Sequence, residues 1–212
     1  MAATLQDFIH YYQVASNNSS RTLLLLHGTG GNEQSMLALG RELAPGAALL
    51  SPRGKVLEGD YPRFFRRKAE GVFDVEDLIA RTHELADWLE AAIVAYRIPR
   101  QSLIALGYSN GANMAASMLL LHPGAFQRAV LFRAMLPLEP EKAPALTGTR
   151  VLIQAGQYDS MIALPRAESL AKLLRECGAE VVFNLQRADH GLVEADINAA
   201  HEWINHLNDT DH

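Results

Sequence analysis

The sequence is poor in cysteine, in long apolar runs and in surplus basic charge, and each shortage excludes a class of protein. Cys177 is the one cysteine, so no internal disulfide can form, and this usage is typical of a reducing compartment. The apolar run at residues 23–26 is too short to cross a bilayer, and the N-terminal residues carry no secretory signal. The formal net charge of −5 disfavours a nucleic-acid partner, because phosphate binding needs a concentrated basic surface. We therefore expect a cytoplasmic protein with neither a membrane segment nor a nucleic-acid partner.

The common metal-binding patterns are missing as well. The chain has no H-E-x-x-H motif and no cysteine pair. His201 and His206 are five residues apart, which does not place them on a common helical face. We expect no metal.

The remaining composition is that of a packed globular protein, with 49% hydrophobic and 20% charged residues among 212. This length suits one domain, and no repeat or linker divides the chain, so a single domain is expected over residues 1–212. Apolar runs alternate with segments of helical periodicity, which predicts a mostly parallel α/β sheet of about seven strands with helices on both faces. The expected strands are residues 8–14, 22–27, 48–51, 103–108, 129–132, 150–155 and 180–185, the first of them pairing antiparallel at an edge.

The predicted helices cover residues 33–43, 75–96, 110–121, 165–177 and 194–207. Asp74 is a suitable N-cap for the longest of them. Pro165 fits the first turn of its helix, and Gly178 fits a left-handed cap after it.

A G-x-S-x-G sequence lies at the junction between a predicted strand and a predicted helix. It reads Gly107-Tyr-Ser109-Asn-Gly111 and is typical of a nucleophile elbow, in which a sharp turn presents the serine hydroxyl and leaves room only for glycine on either side. The alternative is a tight turn with an incidental serine. The apolar strand before the motif and the helix after it favour Ser109 as a nucleophile.

A glycine-rich turn, His27-Gly-Thr-Gly-Gly-Asn32, follows an early strand. Such a turn lets backbone N–H groups approach a ligand closely, and acyl transfer needs two such donors facing the developing oxyanion. We expect these donors on Thr29 and on Asn110. A phosphate-binding loop is disfavoured, because the chain lacks both the Walker pattern and the G-x-G-x-x-G spacing. His27 itself is expected to hold the loop through hydrogen bonds.

An acid and a base are expected at the ends of later strands, in the order Ser, Asp, His. Asp159 follows the strand at residues 150–155, and His190 follows the strand at residues 180–185. Histidine can take the serine proton near neutral pH, and a carboxylate fixes its tautomer. Asp189 is the rival acid, but adjacent residues of an extended chain point to opposite sides.

Several segments together resemble a known family. They are His27-Gly-Thr-Gly-Gly-Asn-Glu33, Pro62-Arg-Phe-Phe-Arg-Arg67, Glu70-Gly-Val-Phe-Asp74, Gly107-Tyr-Ser-Asn-Gly-Ala-Asn113, Arg133-Ala-Met-Leu-Pro137 and His190-Gly-Leu192. The chain resembles bacterial α/β-hydrolase carboxylesterases of the phospholipase/carboxylesterase group, above all the hydroquinone-type hydrolases, with acyl-protein thioesterases as more distant relatives. The resemblance implies a cofactor-free serine esterase that acts on short acyl esters.

The loops indicate what kind of ester would fit. About seventeen residues separate the strands that end at Phe132 and begin at Arg150, too few for a helical lid, so an open cleft is expected. Phe64 and Phe65 could form an acyl or aromatic wall of the cleft, the alternative being two packed aromatics in a solvated basic loop. Met161 is a further candidate for the pocket, although methionines more often fill cores.

The leading hypothesis is a serine carboxylesterase for small carboxylic esters. A thioesterase, a serine peptidase and a catalytically silent binding module with this fold are the alternatives. The sequence leaves the oligomeric state open, a homodimer included.

Overall fold

A computed structural model describes residues 3–16 and 19–207 of the chain, which form eleven strands and five α-helices. The strands are, in chain order, β1 (His10–Gln13), β2 (Thr22–Leu26), β3 (Ala48–Pro52), β4 (Val56–Glu58), β5 (Tyr61–Arg63), β6 (Arg67–Ala69), β7 (Val72–Phe73), β8 (Leu103–Tyr108), β9 (Arg128–Phe132), β10 (Arg150–Gly156) and β11 (Glu180–Gln186). The helices are α1 (Leu37–Leu43), α2 (Val75–Tyr96), α3 (Asn110–Leu121), α4 (Leu164–Glu176) and α5 (Glu194–His206).

Seven of these strands form one central sheet in the order β1-β3-β2-β8-β9-β10-β11. The edge strand β1 pairs antiparallel with β3, and every other pair in this sheet is parallel. Because parallel strands run the same way, the loops that follow β2, β8, β10 and β11 open at the same edge. The segments that carry Thr29, Ser109, Asp159 and His190 therefore meet there.

Both faces of the sheet are covered. Leu24 and Leu26 of β2 belong to the core beneath α2, α3 and α4, whereas Leu23 and Leu25 belong to the core beneath α1 and α5. This alternation follows from the two-residue period of a strand, and it explains why the central strands are apolar throughout. The predicted mostly parallel sheet with helices on both faces is confirmed.

The helix ends follow the expected chemistry. The Asp74 side chain accepts a hydrogen bond from the Asp77 N–H at the start of α2, and Gly178 lies just beyond α4 at a φ of 96°. Helix α1, however, begins at Leu37 rather than at residue 33. The Asn32 side chain accepts the Gln34 N–H and closes a local turn, which competes with a helix at this point.

The segment between β3 and α2 was predicted only as a loop, and it contains two small antiparallel pairs, β4–β5 and β6–β7. Residues 133–149 contain no helix, as expected for a chain without a lid. The serine- and asparagine-rich composition of residues 16–20 predicts a turn, part of which lies outside the described residues. Within the described ranges, no helix is long and apolar enough to span a lipid bilayer.

Candidate active site

Ser109 occupies a strained turn between β8 and α3. Its φ of 52° and ψ of −113° lie in a region that residues with a side chain rarely adopt. A Cβ on Gly107 would lie 2.6 Å from the Ala112 Cα, and one on Gly111 would lie 2.0 Å from the Leu26 carbonyl oxygen. Both glycines of the motif are therefore required by backbone packing around the serine.

Ser109, His190 and Asp159 form a continuous hydrogen-bonded series. The His190 Nε2 lies 2.9 Å from the Ser109 Oγ, and the His190 Nδ1 lies 2.8 Å from the Asp159 Oδ2. A carboxylate only accepts hydrogen bonds, so the proton of the neutral imidazole is on Nδ1 and the lone pair of Nε2 faces the serine hydroxyl. In this tautomer the imidazole can accept the proton of Ser109.

The carboxylate of Asp159 is fixed on its other side by backbone donors. Its Oδ1 accepts hydrogen bonds from the N–H groups of Met161 and Ile162, both at 2.9 Å. The rival acid Asp189 is engaged elsewhere, because its Oδ1 accepts the Gly191 N–H at 2.8 Å. Of the two carboxylates, Asp159 is the one in hydrogen-bond contact with the His190 ring.

Two backbone donors stand beside the serine. Within residues 3–16 and 19–207, neither the N–H of Thr29 nor that of Asn110 donates to a protein acceptor. Asn110 is the first residue of α3, so its N–H also belongs to the positive end of the helix dipole. The pair can hold negative charge that develops next to Ser109.

The loop that carries Thr29 is braced by the hairpin β4–β5. The Gly30 N–H donates to the Pro62 carbonyl at 2.9 Å, and the buried Arg63 donates through Nη1 to the Thr29 Oγ1 at 2.7 Å. The Phe64 N–H donates to the Asn110 Oδ1 at 2.7 Å. One short segment thus contacts both residues that carry the free N–H groups.

His27 has the structural role expected for it. The Gly54 N–H donates to its Nε2 at 3.0 Å, and its Nδ1 lies 2.7 Å from the Gly28 carbonyl oxygen. Because the first partner can only donate and the second can only accept, the ring is neutral with its proton on Nδ1. Burial lowers the pKa of His27 below its ordinary value of 6.5.

This lowered pKa predicts an acid-sensitive fold. The unfolded chain takes up a proton at His27 near pH 6.5, whereas the folded chain resists protonation until a lower pH. The contribution of His27 to stability should therefore be complete above pH 6.5 and be lost as the pH falls towards the folded pKa, with a slope of at most about 1.4 kcal/mol per pH unit. Urea unfolding of the wild type and of His27→Gln between pH 7.5 and 5 measures it, since glutamine does not titrate. Parallel curves for the two proteins would contradict the prediction.

A narrow cleft of about 40 Å³ opens over Ser109. Its apolar walls come from Phe73, Met135, Met161 and Ile162, and its polar lining includes Asn113 and the arginines Arg63 and Arg67. Met161 lies in this cleft, and its contact with a substrate stays a prediction. Met135, which we would expect to fill the core, lines the cleft as well.

Phe64 and Phe65 do not line this cleft, so the prediction that they form its wall is wrong. Both are buried in the core. Phe64 packs on the His27 ring, with 4.7 Å between ring centroids, and Phe65 packs edge-on against Phe73. The chain turns inward after β5 and removes both rings from water. Phe73 is the aromatic that contacts the cleft.

A larger hollow of about 410 Å³ lies at the opposite edge of the sheet, beside Thr22, Ala48 and Arg128. Its described lining residues include no histidine, aspartate or glutamate, so it offers no base for a nucleophile. The smaller cleft, by contrast, is lined by both Ser109 and His190.

Several residues at this cleft were missed by sequence reasoning, among them Arg63, Asn113 and Phe73. All three fall within segments that carry the family resemblance, but nothing in their local spacing indicates a position beside Ser109. Asn113 fixes the backbone of another lining residue, because its Oδ1 accepts the Met135 N–H at 2.9 Å.

Known proteins are similar to this chain over most of its length. The family model described as phospholipase/carboxylesterase matches residues 11–208. MhqD of Bacillus subtilis, whose name describes a hydrolase, is 43% identical over 92% of this chain and 96% of its own. The crystal structure of a Bacillus cereus carboxylesterase superposes with a TM-score of 0.90 at 42% identity, covering 93% of each chain. A carboxylesterase from Mesorhizobium loti gives a TM-score of 0.85 at 34% identity, over 89% of this chain and 90% of its own.

The family match covers nearly the whole chain, and the relatives are similar over their full length. The protein therefore belongs to the phospholipase/carboxylesterase family of α/β hydrolases.

Proposed function

We propose that the protein is a serine carboxylesterase that hydrolyses small carboxylic esters through an acyl-enzyme. One observation carries the proposal: the Ser109 hydroxyl, the His190 imidazole and the Asp159 carboxylate are joined by hydrogen bonds of 2.9 and 2.8 Å beside two free N–H groups. A catalytically silent module would have no need of this arrangement.

The geometry supports a two-step reaction. The Ser109 Oγ attacks the ester carbonyl carbon while His190 takes the hydroxyl proton on Nε2. The N–H groups of Thr29 and Asn110 hold the oxyanion of the tetrahedral intermediate, a contribution of about 3 kcal/mol per donor. The bond to the alcohol oxygen then breaks, and His190 returns its proton to the departing alcohol. Water, deprotonated in turn by His190, releases the acid and restores the serine.

The cleft volume supports a short acyl group. A space of about 40 Å³ accepts about three water-sized groups at ~10–15 Å³ each, which is the size of an acetyl or propionyl chain. Phe73, Met135 and Ile162 would contact its methyl end. A longer chain has to leave the cleft past Met161, which is 38% exposed, and gains little burial there.

A substrate panel tests the proposal. We expect kcat/KM for p-nitrophenyl esters to rise from acetate to propionate, where the added methylene still fills the cleft, and to change by less than about threefold from butyrate to octanoate, because each methylene outside the cleft adds no binding energy. Pre-steady-state measurements with ester in excess over enzyme should show a burst of p-nitrophenol equal to the enzyme concentration, because p-nitrophenol departs before the acyl-enzyme is hydrolysed.

Acyl-CoA thioesters of the same chain lengths form the second arm of the panel. A preference for thioesters would replace the esterase assignment with a thioesterase one. Enzyme treated beforehand with one equivalent of a fluorophosphonate is the matched control, since this reagent modifies the activated serine. Hydrolysis that survives complete labelling of Ser109 would exclude both assignments.

A further inference from the structure

Arg133 is a buried charged residue to which the proposed reaction assigns no role. It directly follows β9, is 1% exposed, and has a φ of 55°, which residues with a side chain seldom adopt. A charged side chain in such a position needs compensating partners. Its guanidinium makes five hydrogen bonds, which uses all five of its N–H groups.

Two of these bonds hold the backbone on either side of His190. The Nε donates to the Asp189 carbonyl at 3.0 Å, and Nη2 donates to the Gly191 carbonyl at 2.6 Å. The carbonyl groups of the residues before and after His190 are therefore held by one planar group. The His190 carbonyl oxygen itself accepts the Tyr108 hydroxyl at 3.0 Å, so the guanidinium and this hydroxyl together hold the backbone at His190.

The other bonds fix the guanidinium itself. It forms a bidentate ion pair with the fully buried Asp196 of α5, at 2.9 and 2.6 Å, and its Nη1 also donates to the Gln154 carbonyl of β10 at 3.1 Å. Asp196 in turn accepts the Val193 N–H at 2.9 Å, so the end of the His190 loop is held as well.

The same stretch of chain also holds the nucleophile. The Ser109 N–H donates to the Phe132 carbonyl at 2.9 Å, and Phe132 immediately precedes Arg133. Two adjacent residues thus contact the serine backbone on one side and the histidine backbone on the other. The distance between the Ser109 Oγ and the His190 Nε2 depends on both contacts.

From this geometry we infer that Arg133 is a positioning residue, which sets the His190 imidazole at hydrogen-bond distance from Ser109. The inference rests on the proposed function for its kinetic consequence, although not for the geometry. Displacement of a catalytic group by about 1 Å can cost on the order of 100-fold in rate. The side chain itself stays behind the loop and does not contact the ester.

Two substitutions test this role. Arg133→Lys keeps the charge beside Asp196 but replaces the planar guanidinium with one ammonium, which cannot reach all three carbonyls and both carboxylate oxygens. The double variant Arg133→Met/Asp196→Leu removes the buried pair together, so that no lone charge stays in the core. Arg100→Lys is the matched control, because Arg100 also bonds two loop carbonyls, those of Gly124 and Ala125, and also pairs with a carboxylate, that of Glu90.

Two readouts distinguish positioning from general stabilisation. The first is steady-state hydrolysis of p-nitrophenyl acetate well below the unfolding temperature. We expect kcat to fall by at least about tenfold in both Arg133 variants with KM changed less than about twofold, since the ester does not contact Arg133. The second is the NMR signal of the His190 Nδ1 proton, which should shift or broaden as its bond to Asp159 is disturbed. The Arg100 variant should change neither.

The inference would be overturned by a folded Arg133→Lys protein with unchanged kcat and an unchanged proton signal. Equal losses in Arg100→Lys, or failure of both Arg133 variants to fold, would overturn it too, since either would assign Arg133 to overall stability. If the wild type hydrolyses neither esters nor thioesters, the proposed function fails. The proton signal still tests the positioning role in that case, because it depends only on the geometry of His190 and Asp159.

Discussion

Replacement of Ser109 with alanine is expected to lower kcat for ester hydrolysis by about 10⁶-fold. No other hydroxyl is in hydrogen-bond contact with the His190 Nε2 within the described parts of the chain, so the variant has no substitute nucleophile at this site. Stability should change little, because the Ser109 Oγ makes one protein hydrogen bond and lies in a partly exposed turn. A bond of this kind contributes about 1 kcal/mol.

Ser117→Ala is the control for this experiment. Ser117 is a buried serine on the same helix, α3, and its hydroxyl donates to the Asn113 carbonyl rather than to a histidine. Loss of the Ser117 hydroxyl should leave kcat within about twofold of the wild-type value. The measurement is hydrolysis of p-nitrophenyl acetate together with urea unfolding of all three proteins. Activity that persists in a folded Ser109→Ala protein would remove the serine mechanism.

Asp159→Asn is expected to lower kcat by about 10⁴-fold, and the reason is a change of tautomer. The Met161 and Ile162 N–H groups are donors, so they will hold the oxygen of the new amide and turn its NH₂ towards His190. The His190 Nδ1 must then present its lone pair, and the ring proton moves to Nε2. An imidazole that donates to the Ser109 Oγ cannot take its proton.

The control is the neighbouring carboxylate. Among the described residues, the Asp189 side chain accepts only the Gly191 N–H, and an asparagine side chain at this position can accept the same bond through its amide oxygen. The kcat of Asp189→Asn should therefore stay within about threefold of the wild-type value. Steady-state kinetics of both variants near neutral pH measure the difference. Equal losses at the two positions would show that general electrostatics, rather than the tautomer of His190, accounts for the effect.

Elements determined by local sequence were predicted closely. Helix α2 begins and ends where expected because Asp74 caps it and because its apolar residues keep one helical period over 22 residues. Helix α3 begins directly after the serine, as a nucleophile elbow requires. The residues at the candidate triad were accessible to the same reasoning, since parallel strands bring the loops that follow them to one edge of the sheet.

Burial in the long loop was not predictable in this way. Phe64 and Phe65 lie among basic residues, and such a sequence is compatible with aromatic rings at the exposed rim of the cleft or with rings buried in the hydrophobic core. Whether the two rings are buried depends on where the hairpin β4–β5 packs. The backbone at Gly54 approaches the hairpin so closely that a Cβ there would lie 2.3 Å from the Arg63 carbonyl carbon, so this packing requires glycine. Such a contact joins positions nine residues apart and has no signature in the hydrophobic pattern.

The role of Arg133 was not predictable either, because its partners lie even farther away along the sequence. It lies 63 residues from Asp196 and 56 from Asp189, and no periodicity relates them. An arginine between an apolar strand and a proline-containing loop is usually a surface residue. Only the tertiary structure reveals that its five donors are used inside the protein.

The connection between β9 and β10 has a consequence for turnover. Residues 133–149 run without a helix, and both Ser109 and His190 stay partly exposed to solvent. An ester can therefore reach the serine, and an alcohol can depart, without a gating movement of the chain. In the proposed reaction, the same opening admits the water that deacylation consumes. Because residues 133–149 provide no helix that could close over the cleft, the rate of the proposed reaction depends on groups that are already in place when the ester arrives.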